Sequence, residues 1–354
     1  MKLNEYVTLG RSGLRISPAG LGTMTFGTDW GFGVDEAASR QLFNYYLEQD
    51  GNFIDTADGY TNGTSEELVG KFVAEGKLRN QVVLATKYSF NRQPGNPNAG
   101  GDGRKNLYRA LEGSLQRLRT DYVDLFWMHV WDRITPVEEV LSTFDALIRE
   151  GKIRYAGFSD VPAWYLARAQ TLAQCYGQQP IIALQLEYSL LDRSIEREHI
   201  PAAQELGMGV CPWGALAGGM LSGKYQRHGE SATGQGRLTR PGAPPSNRMN
   251  ERAWRIVDAL RQVSEQMGKP AARVAFNWAA TQPGITAPLL GATSLAQLSE
   301  NIAALEFTIP DELRRQLDEA SALELVHPYT FFAPPAQARV NGGVATRAWR
   351  AAQT

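Results

Sequence analysis

Cysteine is scarce in this chain of 354 residues: only Cys175 and Cys211, far apart. The pair fits neither a zinc-ligand spacing nor a disulfide framework, so a reducing compartment is expected. No run of about 20 apolar residues is present, so no helical membrane span is predicted. The opening MKLNEYVTLGRSG lacks the apolar stretch of a secretory signal. Neither charge sign is in excess: 36 Lys+Arg face 37 Asp+Glu, a net charge of -1. That balance excludes a broad electrostatic footprint for nucleic acid and an acidic tail, although a local patch can still bind one phosphate. Low complexity is also missing, since Gly 35 and Pro 18 make up about 15% of the chain. What is there is ordinary for a globular protein, 43% hydrophobic and 21% charged, and long enough to bury a core without staples. The expectation is a cytoplasmic protein with a small-molecule substrate, no nucleic-acid or membrane partner, no metal, and homo-oligomerisation left open.

The chain opens as a hairpin, with Tyr6–Leu9 and Leu14–Ile16 flanking the turn Gly10-Arg11-Ser12-Gly13. Eight units of strand then helix follow. Strands are predicted at Ala19–Gly22, Asn52–Asp55, Val82–Thr86, Val123–His129, Ile153–Phe158, Ile182–Leu186, Met208–Trp213 and Ile285–Leu290. Helices are predicted at 36–49, 65–76, 104–118, 136–150, 162–175, 197–206, 250–267 and 295–304, with extra helices at 270–280 and 310–323. Strict alternation argues for a parallel sheet, and eight units argue for a (β/α)8 barrel in one domain over 1–354. An open doubly wound sheet is the alternative, but no G-x-G-x-x-G follows the first strand. Residues 1–18 would cap the barrel. The stretch 226–249, polar and rich in Gly and Pro, is too long for an ordinary connection and reads as a long loop, a lid or a disordered insert. Residues 324–354 form a C-terminal tail.

In such a barrel, chemistry belongs at the C-terminal ends of strands. Asp55 ends the second strand, with Tyr60 just beyond; Lys87 ends the third and His129 the fourth. One mouth would therefore hold all four. A lone Asp there is usually a cap, and a lone Lys, Tyr or His is usually rim or structure; the convergence is what points to function. A tyrosine phenol is too weak an acid for neutral pH, and a lysine ammonium nearby is expected to lower its pKa. Asp55 would hold Lys87 charged and oriented, and His129 would orient a carbonyl or relay a proton. Tyr60 then becomes a proton donor to a carbonyl oxygen. Aromatic residues in the loops after strands one and four, Trp30, Phe32 and Trp131, are candidates for the substrate wall.

The segment Phe53-Ile54-Asp55-Thr56-Ala57-Asp58-Gly59-Tyr60, followed by Ser65-Glu66-Glu67-Leu68-Val69-Gly70, resembles the second-strand signature of the aldo-keto reductases. The resemblance runs from Tyr6 to about Leu305. It implies a (β/α)8 barrel capped by an N-terminal hairpin, hydride transfer between NADP(H) and a carbonyl without metal, and the catalytic tetrad Asp55, Tyr60, Lys87 and His129. Ser159 and Asp160 resemble the pair that holds the nicotinamide carboxamide, where the family usually has Asn second; Gln185 matches its partner from the other side. Trp213 would stack on the nicotinamide. Gly214, Ala215, Leu216 and Gly218 would bring backbone amides to the pyrophosphate, with Lys224 adding charge. Arg237 matches a phosphate clamp of the channel-β-subunit-like branch, to which the chain is compared as a bacterial member. Gly291, Thr293, Gln297, Glu300 and Asn301 resemble the adenosine-phosphate motif. Gly22, Thr23 and Met24, around the end of the first strand, join the cofactor set. Many members carry Lys or Arg where this chain has Gly291, Thr293 or Gln297, so NAD(H) or dual use stays open beside NADP(H).

Three functions are thus compatible with the sequence. The first is NADPH-dependent reduction of aldehydes and ketones with Tyr60 as proton donor. The second is a nicotinamide-nucleotide-binding regulatory subunit with slow turnover. The third is a barrel lyase or isomerase using Lys87 as a Schiff base or Tyr60 as a base.

Overall fold

Short apolar runs between turn residues form eight parallel strands in the computed structural model, which describes residues 1–228, 231–234, 236, 238–239 and 249–345. They are β1 (Gly20–Gly22), β2 (Phe53–Asp55), β3 (Val83–Tyr88), β4 (Val123–Met128), β5 (Ile153–Ser159), β6 (Ile181–Gln185), β7 (Gly209–Val210) and β8 (Leu289–Leu290). Their order in the sheet is β8-β1-β2-β3-β4-β5-β6-β7. Between them run α1 (Glu36–Glu48), α2 (Thr64–Glu75), α3 (Arg104–Leu118), α4 (Val137–Arg149), α5 (Ala163–Tyr176), α6 (His199–Leu206), α7 (Glu251–Met267) and α8 (Ala271–Ala280); α9 (Leu295–Ala303) and α10 (Asp311–Ser321) follow β8. The sheet is curled, and its two edges are linked by backbone bonds: the Thr286 and Leu289 N–H groups donate to the carbonyls of Val210 and Pro212, each at 2.8 Å. This arrangement is consistent with a (β/α)8 fold.

Side chains on a strand alternate between faces, and here the alternation separates two cores. Phe53, Val83, Ala85, Leu125, Trp127, Ala183 and Cys211 point to the inside of the curl. Ile54, Leu84, Phe126, Met128, Phe158 and Leu184 point outward, into the larger core under the helices. Each buried Val, Leu, Ile, Phe or Met among them contributes roughly 1.5–3 kcal/mol of burial free energy. The hairpin of Val7–Thr8 with Arg15–Ile16 adds Leu9 and Ile16 to the inner core, beside the strand starts. It therefore closes the N-terminal end, and the open mouth is at the other.

The last two strands are shorter than expected. Only Gly209–Val210 and Leu289–Leu290 are regular, although Trp213 still bridges to Glu187. Pro212 and Pro288 have no N–H to donate, which interrupts a regular ladder. Inside the stretch 226–249, residues Gln226–His228 pair antiparallel with Ser231–Thr233, so part of the expected loop is a hairpin. Met1–Ser321 form one compact unit, and the described residues after it form a second, small one containing a helix at Pro334–Val340 that the sequence reading did not anticipate. Among the described residues, no helix is long and apolar enough to cross a membrane.

Gly157 on β5 marks where the inner core is tightest, since a Cβ there would lie 2.3 Å from Cε3 of Trp127. Gly157→Ala is expected to cost about 1–3 kcal/mol through overpacking. Gly13→Ala, whose methyl would meet nothing within 4 Å, should stay within about 0.5 kcal/mol. Urea denaturation of the two variants checks the contrast.

Candidate active site

The inward parity of the strands continues past the apolar layer and aims polar groups at the mouth. On β2, Phe53 faces inward and so does Asp55; on β3, Val83 and Ala85 lead to Lys87; on β4, Leu125 and Trp127 lead to His129. The same parity carries β5 to Ser159, β6 to Gln185 and the segment after β7 to Trp213. A two-residue period thus converts a sequence spacing into one ring of side chains.

Lys87 is the centre of this ring and is fully buried. Its Nζ donates to Asp55 Oδ1, to the Thr56 carbonyl at 2.8 Å and to the Tyr60 hydroxyl at 3.2 Å. Those bonds use the three protons an ammonium has. Asp55 is buried as well, and its Oδ2 accepts from Gln185 Nε2 at 3.0 Å. Burial pushes the Asp55 pKa up, opposed by Lys87 and Gln185. Burial works against the Lys87 ammonium, but Asp55 and Tyr60 outweigh it and hold its pKa above the ordinary value.

Tyr60 begins a 3-10 turn, Tyr60–Gly63, in which Thr61 (φ 45) and Asn62 (φ 56) are left-handed. The turn is tied down by Thr61 Oγ1 donating to the Phe26 carbonyl at 2.7 Å and by Arg92 Nη2 donating to the Asn62 carbonyl at 2.6 Å. The expectation of a net acidified phenol is corrected here. Burial raises the Tyr60 pKa above its ordinary value; Lys87 pulls it down, but not far enough, and Asp55 adds to the rise. The phenol is therefore protonated at neutral pH. The His129 imidazole is held well below its ordinary pKa by burial and by repulsion from Lys87, so it is neutral at the same pH. Its Nδ1 is buried without a hydrogen-bond partner, and its ring lies edge-on to Tyr60 with centroids 5.9 Å apart. Ser89 Oγ accepts the His129 N–H at 3.2 Å and donates to Asp102, fixing the strand end.

Asp160 is left-handed (φ 46), a conformation that Asp and Asn tolerate better than most residues. Burial of its carboxyl pushes the pKa up to about 6, against the pull of the Trp213 indole N–H. The Ser159 hydroxyl is buried and makes no hydrogen bond of standard geometry. Gln185, expected to face a carboxamide, has its NH2 group engaged by Asp55. Gly22, Thr23 and Met24 follow β1, and Thr23 Oγ1 donates to the Asp55 carbonyl at 3.0 Å. Beyond the half-buried Trp213, Gly214, Ala215 and Leu216 lead into a short 3-10 segment, Ala217–Ser222, that contains Gly218. A Cβ at Gly219 (φ 95) would lie 2.8 Å from Lys224 Nζ, so the ammonium folds back over this glycine turn. Arg237 lies outside the described residues.

The third group is less open than its sequence suggested. Gln297 Oε1 accepts from the Thr293 N–H at 2.9 Å and from its hydroxyl at 3.0 Å, while Ser294 caps α9. Asn301 Nδ2 donates to the Gly291 carbonyl at 3.2 Å. Glu300 accepts from Nε and Nη2 of Arg273 on α8, at 2.5 and 2.8 Å. Arg273 is a cation the sequence reading missed, since only the packing of α8 on α9 brings it to Glu300.

On the substrate side, Trp30 stands edge-on to Tyr60 at 6.3 Å between ring centroids, and Phe32 packs on Trp30 at 5.8 Å. Trp131 instead packs against Trp164 and Tyr165 of α5. Phe90, also missed, lies 4.8 Å from His129 and is 52% exposed. Its place two residues after the end of β3 was the available signal.

The groups around Lys87 can hold and move one proton at the Tyr60 oxygen. The buried, unsatisfied Ser159 hydroxyl and the flat Trp213 face beside Asp160 and Gln185 suit a planar ring bearing an amide. The glycine turn under Lys224 suits phosphate. The residues thus fit a nicotinamide nucleotide. Among the described residues, no group of three His, Cys, Asp or Glu is placed to hold a metal ion.

Comparison with known proteins agrees with this geometry. Residues 18–322 match the sequence model of the aldo/keto reductase family. The chain is 34% identical to norsolorinic acid reductase of Aspergillus flavus over 92% of this chain and 83% of the relative. It is 36% identical to an uncharacterized oxidoreductase, YrpG, of Bacillus subtilis over 89% and 95% of the respective chains. It is 32% identical to an aryl-alcohol dehydrogenase [NADP(+)] of Phanerodontia chrysosporium over 90% and 86%.

Removing one charge of the central pair strands the other. Lys87→Met is expected to destabilise the fold by about 3–5 kcal/mol. The double variant Asp55→Asn/Lys87→Met should recover most of that loss, because no unpaired charge stays buried. Denaturant midpoints across the four-member cycle measure the coupling.

Proposed function

The chain belongs to the aldo/keto reductase family and is an oxidoreductase, and we propose that it reduces aldehydes and ketones to alcohols, with NADPH as reductant and Tyr60 as proton donor. The observation that carries the reading is the Tyr60 hydroxyl, 3.2 Å from the buried Lys87 ammonium and facing neutral His129 at the mouth. Bound NADPH supplies a hydride to the carbonyl carbon. The chain's residues do the rest. Neutral His129 orients the carbonyl oxygen. The Tyr60 phenol is protonated at neutral pH and gives its proton to that oxygen as charge builds there. The phenolate left behind is held by Lys87, whose own charge is held by Asp55. The ammonium is already in place, so stabilising the charge requires little rearrangement.

Ser159, Asp160 and Gln185 would bind the carboxamide, Trp213 would stack on the ring, and Gly214–Lys224 would take the pyrophosphate. For the 2′-phosphate, the motif at 291–301 offers the hydroxyls of Thr293 and Ser294, with Lys224 as a cation. The relative named for NADP(+) supports NADPH over NADH. Trp30, Phe32 and Phe90 surround the Tyr60–His129 pair with aromatic faces, and relatives carry aryl-alcohol dehydrogenase names. Both favour aromatic aldehydes as substrates.

Tyr60→Phe removes the proton and leaves the cofactor groups alone. It is expected to lower kcat by about 10²–10⁴-fold, with NADPH affinity changed less than threefold. Turnover of a benzaldehyde panel and fluorescence titration of NADPH measure the two. Full turnover in Tyr60→Phe overturns the role of Tyr60.

A further inference from the structure

Away from the mouth, a cavity of about 200 Å³ lies among Asp58, Arg92, Arg109, Gly113 and Arg117, with exposed Gln93 at its rim. Its walls come from the loop after β2, the loop after β3 and the face of α3. Polar atoms here are left without partners. Asp58 is 2% exposed, yet its Oδ1 makes no hydrogen bond, and neither do the buried Arg92 Nη1 and Arg109 Nε. Unsatisfied buried polar atoms carry a cost, and three of them around one cavity call for an occupant that meets both kinds.

The other contacts of these arginines are already fixed. Arg92 Nη2 holds the Asn62 carbonyl, Arg109 Nη2 holds the Ala99 carbonyl at 2.9 Å and Asn106 at 2.6 Å, and Arg117 pairs with buried Glu66 at 2.6 Å. The free N–H groups are thus preorganised. The groups acting on Asp58 are Glu66, which shares its sign, and Arg92, Arg117 and Arg109, which oppose it. Burial first, then Glu66, pushes the Asp58 carboxyl up to about 7. With its proton on, Asp58 is a donor, and the three guanidinium groups face one remaining carboxylate, Glu66. The excess is two positive charges, which a doubly charged oxyanion would neutralise.

We propose that this cavity binds a small free oxyanion of the sulfate or phosphate type, held by Arg92 Nη1, Arg109 Nε and the Asp58 carboxyl. Arginine forks suit such oxygens. A volume of about 200 Å³ suits a free tetrahedral ion. The site adjoins the reaction centre without entering it. The Asp58 N–H donates to the Lys87 carbonyl at 3.0 Å, and Arg92 grips the left-handed turn that presents Tyr60. Occupancy would therefore stiffen the mount of the phenol.

Sulfate is the probe, because it keeps its charge between pH 6 and 8. Calorimetric titration uses the full chain at ionic strength matched with chloride. Lys224→Gln, which removes the cation of the proposed pyrophosphate site, should lose any sulfate held there and keep the site at Arg92 and Arg109. Arg109→Gln and Arg92→Gln should each weaken binding at least tenfold, with melting curves confirming that they fold. Binding favours protonated Asp58, so affinity rises as pH falls through 7. Linkage gives about five- to tenfold tighter binding at pH 6 than at pH 8. Asp58→Asn, which keeps a donor and loses the titration, should bind with no such slope. No sulfate-specific binding in wild type, an unchanged affinity in both arginine variants, or complete loss of sulfate binding in Lys224→Gln overturns the proposal.

Discussion

The ammonium of Lys87 has no exposure to water, and its three protons go to Asp55, to a main-chain carbonyl and to the hydroxyl of Tyr60. An isolated charge in that position would be expelled or neutralised. It persists because Asp55 is buried beside it, and Asp55 in turn is held by Gln185 from across the mouth. The two ends of this chain of contacts, β2 and β6, do not touch in the sheet. The Gln185–Asp55 bond therefore ties opposite walls together, and the charge pair it supports fixes where the Tyr60 oxygen sits. Below the pair, Trp127 packs tightly over Gly157 in the inner core.

Much of this was legible beforehand because it follows from period two. Phe53 and Asp55, Ala85 and Lys87, Trp127 and His129 are each two residues apart, so an inward apolar residue predicts an inward polar one at the mouth. Helix positions were legible too, with α3 at 104–118 as expected and the others shifted by a residue or two at their ends. The short final strands were less so, since Pro212 and Pro288 interrupt hydrogen bonding without changing the hydrophobic pattern.

What the sequence hid were contacts made across long separations and the balance of opposing fields. The direction of the Tyr60 shift depends on how much protein surrounds the phenol, which no spacing reveals; Lys87 acts in the expected sense and is outweighed. Gln185 could be placed at the mouth, but not its bond to Asp55. The grip of Arg273 on Glu300 joins two helices, and Trp131 turns toward α5 because Trp164 and Tyr165 offer it an aromatic surface. Arg92, Arg109 and Arg117 look like an ordinary solvated scatter in the sequence. Only the fold gathers them around Asp58.

The Tyr60 phenol carries its proton at neutral pH while touching a charged lysine. Tyrosine labelled at the ring carbon bearing the hydroxyl reports ionisation residue by residue in an NMR titration, and Tyr60→Phe identifies the signal. Tyr60 is expected to stay a phenol up to at least about pH 10, the ordinary tyrosine value. A midpoint more than about one unit below that value would show that Lys87 prevails over burial, and would contradict it.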